Sequence, residues 1–133
     1  MVAEPRTWVD VEGALRAWAR EVLPQIAGRV FFAYSTKAAR DQITITRIAG
    51  PDDRALIQFD VWGPDKASAA ALASALATEA DAIGRYTFTP DAEGEPSVLI
   101  HGAVVESVRW QPDEESGDAR YVVEATYTVT AAQ

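Results

Sequence analysis

The stretch Arg54–Ile83, RALIQFDVWGPDKASAAALASALATEADAI, decides the fold. It opens as an alternating strand, with Ile57, Phe59 and Val61 toward one face and Gln58, Asp60 and Trp62 toward the other. Gly63-Pro64-Asp65 then turns the chain, and an alanine-rich helix follows at once. Asp65 suits the N-cap, because its short side-chain oxygen can accept an orphan N–H of the first helical turn. Leu72, Leu76 and Ile83 recur at spacings that share one helical face, and the alanines around them let the helix axis sit close to a sheet. The segment therefore specifies a twisted sheet with one closely packed helix across it. It describes a scaffold and contains no obvious chemistry.

Outward from that core, Gly50-Pro51-Asp52-Asp53 is a turn signal that makes Gln42–Ala49 the hairpin partner of Ala55–Trp62. Ile43 and Ile45 are in phase while Ile48 is not, which suggests a bulge. Upstream, Val11, Leu15, Trp18 and Val22 share a face of a helix over Val11–Leu23, with Thr7 and Asp10 spaced as a capping pair and Pro24 at its end. Arg29–Tyr34 reads as a strand and the polar Ser35–Asp41 as a loop. Downstream, Gly84 closes the second helix, and Tyr86–Pro96 reads as a loop with at most a short strand. Val98–Trp110 is a long strand interrupted near Gly102. Gln111–Ala119 is a polar turn, and Tyr121–Thr130 alternates cleanly to complete a second hairpin. The expected class is α+β: a single domain over residues 1–133 with a mostly antiparallel twisted sheet of about five strands and two main helices packed against it.

Composition agrees with one globular domain that needs no staples, at 48% hydrophobic and 24% charged residues. The absence of cysteine excludes disulfides and thiolate zinc sites. The N-terminal MVAEPRTW lacks a basic segment followed by an apolar one, and no apolar run approaches the roughly 20 residues that span a bilayer. A soluble chain made in a cytoplasm, with no membrane partner, is the expectation. Net charge is −8, and most of the excess follows Arg85, in Asp91–Glu95 and Asp113–Asp118. A basic stripe, the usual footprint of nucleic-acid binding, is missing. Two readings of the acids stand: solvated loops that aid solubility, or a surface that repels phosphate so that nucleic acid can pass without sticking.

Candidate chemistry is sparse. His101 is the single histidine, and a lone histidine beside a strand glycine is more often structural than catalytic. Asp52-Asp53 and Asp113-Glu114-Glu115 pair carboxylates, but in solvated turn sequences, where acids are common for conformational reasons. No glycine-rich phosphate loop or EF-hand spacing occurs. Trp18 fits the first helix's core face. Trp62 and Trp110 fall at strand ends, where an aromatic is either a core lid or a contact for another subunit.

The order helix, strand, loop, hairpin, alanine-rich helix, hairpin resembles the tail terminator proteins of long, non-contractile-tailed phages of the lambda type. The resemblance spans nearly the whole chain. It rests on VEGALRAWAREVLP, on ALIQFDVWG leading into ASAAALASALATEAD, and on VVESVRWQPDEESGDARYVVEATYTV. These are pattern-level features rather than invariant motifs. What it implies is a non-enzymatic virion protein without cofactor or metal. Such a protein forms a homo-oligomeric, hexameric ring at the head-proximal end of the tail, caps the major tail-tube protein, stops its polymerisation and joins the head-completion protein. Ser35, Thr36, Lys37, Arg40, Asp41, Trp62 and Trp110 are then subunit-contact candidates. Asp113, Glu114, Glu115 and Asp118 are candidates to face a lumen through which DNA slides without specific binding. The alternatives are a small intracellular α+β ligand-binding or enzymatic domain, with a pocket between helices and sheet and His101 at its edge, and another head-tail connector component.

Overall fold

The computed structural model describes residues 9–32, 41–50, 53–91 and 94–132. Thr7 and the Ser35–Arg40 part of the polar loop lie outside them. The elements run α1 (Val11–Val22), a 3-10 segment (Pro24–Arg29), β1 (Val30–Phe32), β2 (Gln42–Ala49), β3 (Arg54–Gly63), α2 (Lys66–Asp81), β4 (Tyr86–Phe88), β5 (Ser97–Trp110) and β6 (Ala119–Ala132). The class is α+β, as the hydrophobic pattern requires. Among the described residues the strands number six rather than about five, because Tyr86–Phe88 pairs with Val98–Ile100 and adds a short edge strand.

The sheet order is β1-β2-β3-β6-β5-β4. Among the described strands only β1 and β2 run parallel; every other neighbour pair is antiparallel. β2 and β3 form the expected first hairpin, with the register slipping between Arg47 and Ala49 so that Ile48 is the bulged residue. β5 and β6 form the second and longest hairpin, with bulges at His101 and Glu106.

Both helices are started by an aspartate. Asp10 Oδ1 accepts from Gly13 N at 2.9 Å, so Asp10 itself caps α1. A Cβ at position 13 would collide with that carboxylate. Asp65 Oδ1 accepts from Ser68 N at 2.8 Å, and these hydrogen bonds lower the Asp65 pKa by favouring its charged form. α2 buries Ala69, Leu72, Ala73, Leu76 and Ala80 against the sheet. Its close approach is measured at Gly63, where an added Cβ would lie 2.6 Å from Ala69 N. The alanines and Gly63 therefore set the spacing together.

The core is one cluster between the helices and a single face of the sheet: Leu15 and Trp18 from α1, Ile43 and Ile45, Ile57 and Phe59, Leu76, Ile100, Val123 and Tyr127. Phe59 and Tyr127 meet edge to face at 6.3 Å between centroids. Each such fully buried large side chain contributes roughly 1.5–3 kcal/mol relative to exposure. α1 packs on β1 and β2 and also reaches β4, where Tyr86 Oη donates to Glu21 at 3.2 Å. The sheet thus curls until its two edge strands share one helix. No described helix is long and apolar enough to cross a membrane.

Candidate functional site

His101 sits in the β5 bulge, exposed, with Nε2 and Thr130 Oγ1 2.9 Å apart. It borders a groove of about 470 Å³ shared with Arg54, Val104, Glu106, Thr126 and Thr128. By strand register, Arg54, Val104, Thr126 and Thr128 belong to the sheet face opposite the helices. Among the described residues, the space between helices and sheet, where a ligand pocket would be expected, holds the packed core. In the groove Glu106 Oε1 accepts from Thr126 Oγ1 at 3.1 Å, so the carboxylate is tied to a hydroxyl rather than oriented toward the imidazole. A nucleophile needs a base in reach and a third group holding that base. His101 and Thr130 lack a third member among the described residues, and no group of three or more His, Asp or Glu converges there to hold a metal ion.

The acidic turn is built by its own side chains. Asp113 Oδ1 accepts from Glu115 N at 2.8 Å and Ser116 N at 3.3 Å, and Ser116 Oγ accepts from Asp118 N at 3.2 Å. Gly117 takes the left-handed φ of 73° that lets its N–H reach Asp113 O at 2.8 Å. Asp113 is therefore a conformational residue, whereas Glu114 and Glu115 project freely into solvent.

Of the two strand-end tryptophans, Trp62 is 8% exposed, with the Arg120 guanidinium 5.2 Å from its ring centroid. Trp110 keeps 38% of its surface, between Lys66 Nζ at 4.9 Å and the Tyr121 ring at 5.3 Å. Trp110 is thus the one of the pair with area to offer a partner. Asp41, at the end of the polar loop, borders a shallow groove with Gln25, Ile26, Ser68 and Leu72. It lies near neither Trp110 nor the acidic turn in the strand order. Ser35, Thr36, Lys37 and Arg40 lie outside the described residues.

A feature that sequence reasoning missed is the uneven length of neighbouring strands. Among the described residues, β4 pairs with only Val98–Ile100 of β5, and β1 with only Ile43–Ile45 of β2. All the large hydrophobic side chains exposed among the described residues lie on these edge regions: Phe32 at 40%, Ile48 at 44%, Val104 at 61%, Val108 at 44% and Trp110 at 38%. Near β1 stand three arginines. Arg16 Nε donates to Val30 O at 3.1 Å with its guanidinium 4.9 Å above the Phe32 ring, and Arg29 Nη2 donates to Gln25 O at 3.2 Å. Burial, and the like charge of Arg20 beside it, lower the Arg16 pKa from its ordinary value. None of Arg16, Arg20 and Arg29 has an ion pair among the described residues.

No protein-family model matches the chain, and no curated protein matches it in sequence.

Proposed function

We propose that this chain is a tail-terminator-type virion protein, a non-enzymatic subunit of a ring that caps a phage tail tube. In this reading it halts tube growth and presents its other face to a head-completion protein. The observation that carries the proposal is the long β5–β6 hairpin. Its outer strand runs past its edge partner from His101 to Trp110 and exposes Val104, Val108 and Trp110. Unpaired strand edges with apolar side chains are a liability in a monomer and an asset in an assembly. The element order supports the same reading, since helices on one face of a mostly antiparallel sheet are what the resemblance implies. The net charge of −8 suits a channel that genome must traverse without adhering.

Electron microscopy of tail tubes polymerised with and without the purified chain tests the proposal. The expected images show a single ring at one tube end and a halt to elongation. Tubes that stay uncapped and continue to grow would refute it.

A further inference from the structure

The two sheet edges left unpaired among the described residues are matched in position. Following the strand pairings across the sheet, Phe32 is level with Ile45, Phe59, Val123 and Val108. Ile48 lies between Arg47 and Ala49, whose rows lead across to Val105 and Val104. The exposed apolar residues of one edge thus stand at the same heights as those of the other. Strand direction also agrees: β5 runs opposite to β1 and β2, so a second copy continuing the sheet would present an antiparallel partner. Charge agrees as well. Val30 is level with Trp110, which puts Arg29 level with the start of the acidic turn. A neighbour's Glu114 and Glu115 would there approach Arg29 and Arg20, cations that lack an ion pair among the described residues.

We propose that copies of this chain join head to tail by sheet extension, the β5 edge from Gly102 to Trp110 of one copy pairing with the β1–β2 edge of the next. Such a contact is heterologous, so it propagates until the rotation per copy closes a ring. Main-chain hydrogen bonds supply the adhesion. Phe32 against Val108 and Ile48 against Val104 fix the height, and the acidic turn against Arg29 fixes the direction. The glutamates are then used at a subunit joint rather than in a lumen. Ring closure rests on the terminator reading; the edge pairing itself rests on the register and exposure of these strands.

The absence of cysteine makes the test clean. Facing residues of paired strands have Cα atoms about 4.5–5.5 Å apart, within the roughly 4.4–6.8 Å a disulfide spans. Under mild oxidation the double variant Phe32→Cys/Val108→Cys should give a ladder of covalent oligomers on a non-reducing gel. Either single variant should stay monomeric, and a mixture of the two singles should stop at a dimer. Charge supplies an independent arm. Arg29→Glu should weaken self-association in sedimentation by at least tenfold, and adding Glu114→Lys and Glu115→Lys to it should restore at least part of that loss. Val108→Lys should abolish the higher species while leaving the circular dichroism of the monomer unchanged. A wild-type chain that sediments as a monomer to its solubility limit, with no ladder from the double variant, overturns the proposal. So does dimerisation of Val108→Cys alone, which would mean two β5 edges pair with each other. Tube capping by a chain that yields no ladder removes this interface and keeps the terminator reading; a ladder from a chain that leaves tubes uncapped does the reverse.

Discussion

Replacing Tyr127 by phenylalanine should stabilise the protein at neutral pH and flatten its loss of stability in alkali. Tyr127 is fully buried on β6, and its hydroxyl has no hydrogen-bond partner among the described residues. An unsatisfied buried hydroxyl costs about 1–3 kcal/mol, while the ring's packing, including its edge contact with Phe59, is kept by phenylalanine. A gain of about 1 kcal/mol at pH 7 is therefore expected. The alkaline effect has a definite sign. Burial first, and the charge of Asp81 second, raise the folded phenol's pKa well above its ordinary 10.0. The neutral phenol's contribution is thus fully present below pH 10 and falls as pH rises, because the unfolded chain ionises while the folded one does not. By pH 11 the wild type should have lost about 1.4 kcal/mol from this residue alone, and Tyr127→Phe none of it. Urea unfolding followed by tryptophan fluorescence at pH 7 and pH 11 measures both quantities. A variant destabilised by more than about 1 kcal/mol at pH 7 would show that the hydroxyl is satisfied and that the burial argument fails. Equal pH dependence in the two proteins would remove the titration argument separately.

Four further outcomes are expected. Gly63→Ala should lower stability by about 1–3 kcal/mol, because the new methyl meets the α2 backbone at Ala69 and the helix must retreat; an unchanged urea midpoint would refute the tight approach. Asp65→Ala and Asp10→Ala should each cost about 1 kcal/mol through loss of a cap, seen in the same unfolding assay. The Tyr86 phenol should titrate near pH 12, raised chiefly by burial and next by Glu21, so Tyr86→Phe should delete a late step from the ultraviolet absorbance titration. His101→Gln should leave tube capping intact, since among the described residues the imidazole's hydrogen bond is to Thr130 and no third group orients it; loss of capping by a folded variant would favour the enzymatic alternative.

Much of the scaffold is written in short-range chemistry. Asp65 before an alanine-rich run, alternation from Ala55 to Trp62, and a polar turn between two long strands each depend on neighbours a few residues away, and each appears where local reasoning puts it. The bulge at Ile48 and the interruption near Gly102 were legible for the same reason, as breaks in a period of two. Tyr86–Phe88 was legible only as at most a short strand, because three residues near Pro90 carry little pattern, and their strand character comes from the β5 edge they lie on. Of the capping pair Thr7 and Asp10, Asp10 performs the cap, and Thr7 lies outside the described residues. The candidate interface was least legible. Val104 and Val108 read as ordinary strand residues, and among the described residues it is the short reach of β4 that leaves them uncovered.

The position of β6 has a consequence for how the molecule is made. This strand lies between β3 and β5, yet it leaves the ribosome after every other strand of the sheet. Until residues 119–132 emerge, the β1-β2-β3 half and the β5-β4 half have no strand to join them. At about 5–20 residues per second of synthesis, β3 would spend seconds with its inner edge bare. Nascent chains stalled before Ala119 should therefore resist compaction and recruit holding chaperones. Completing the sheet therefore waits for the final strand, which takes its place between β3 and β5.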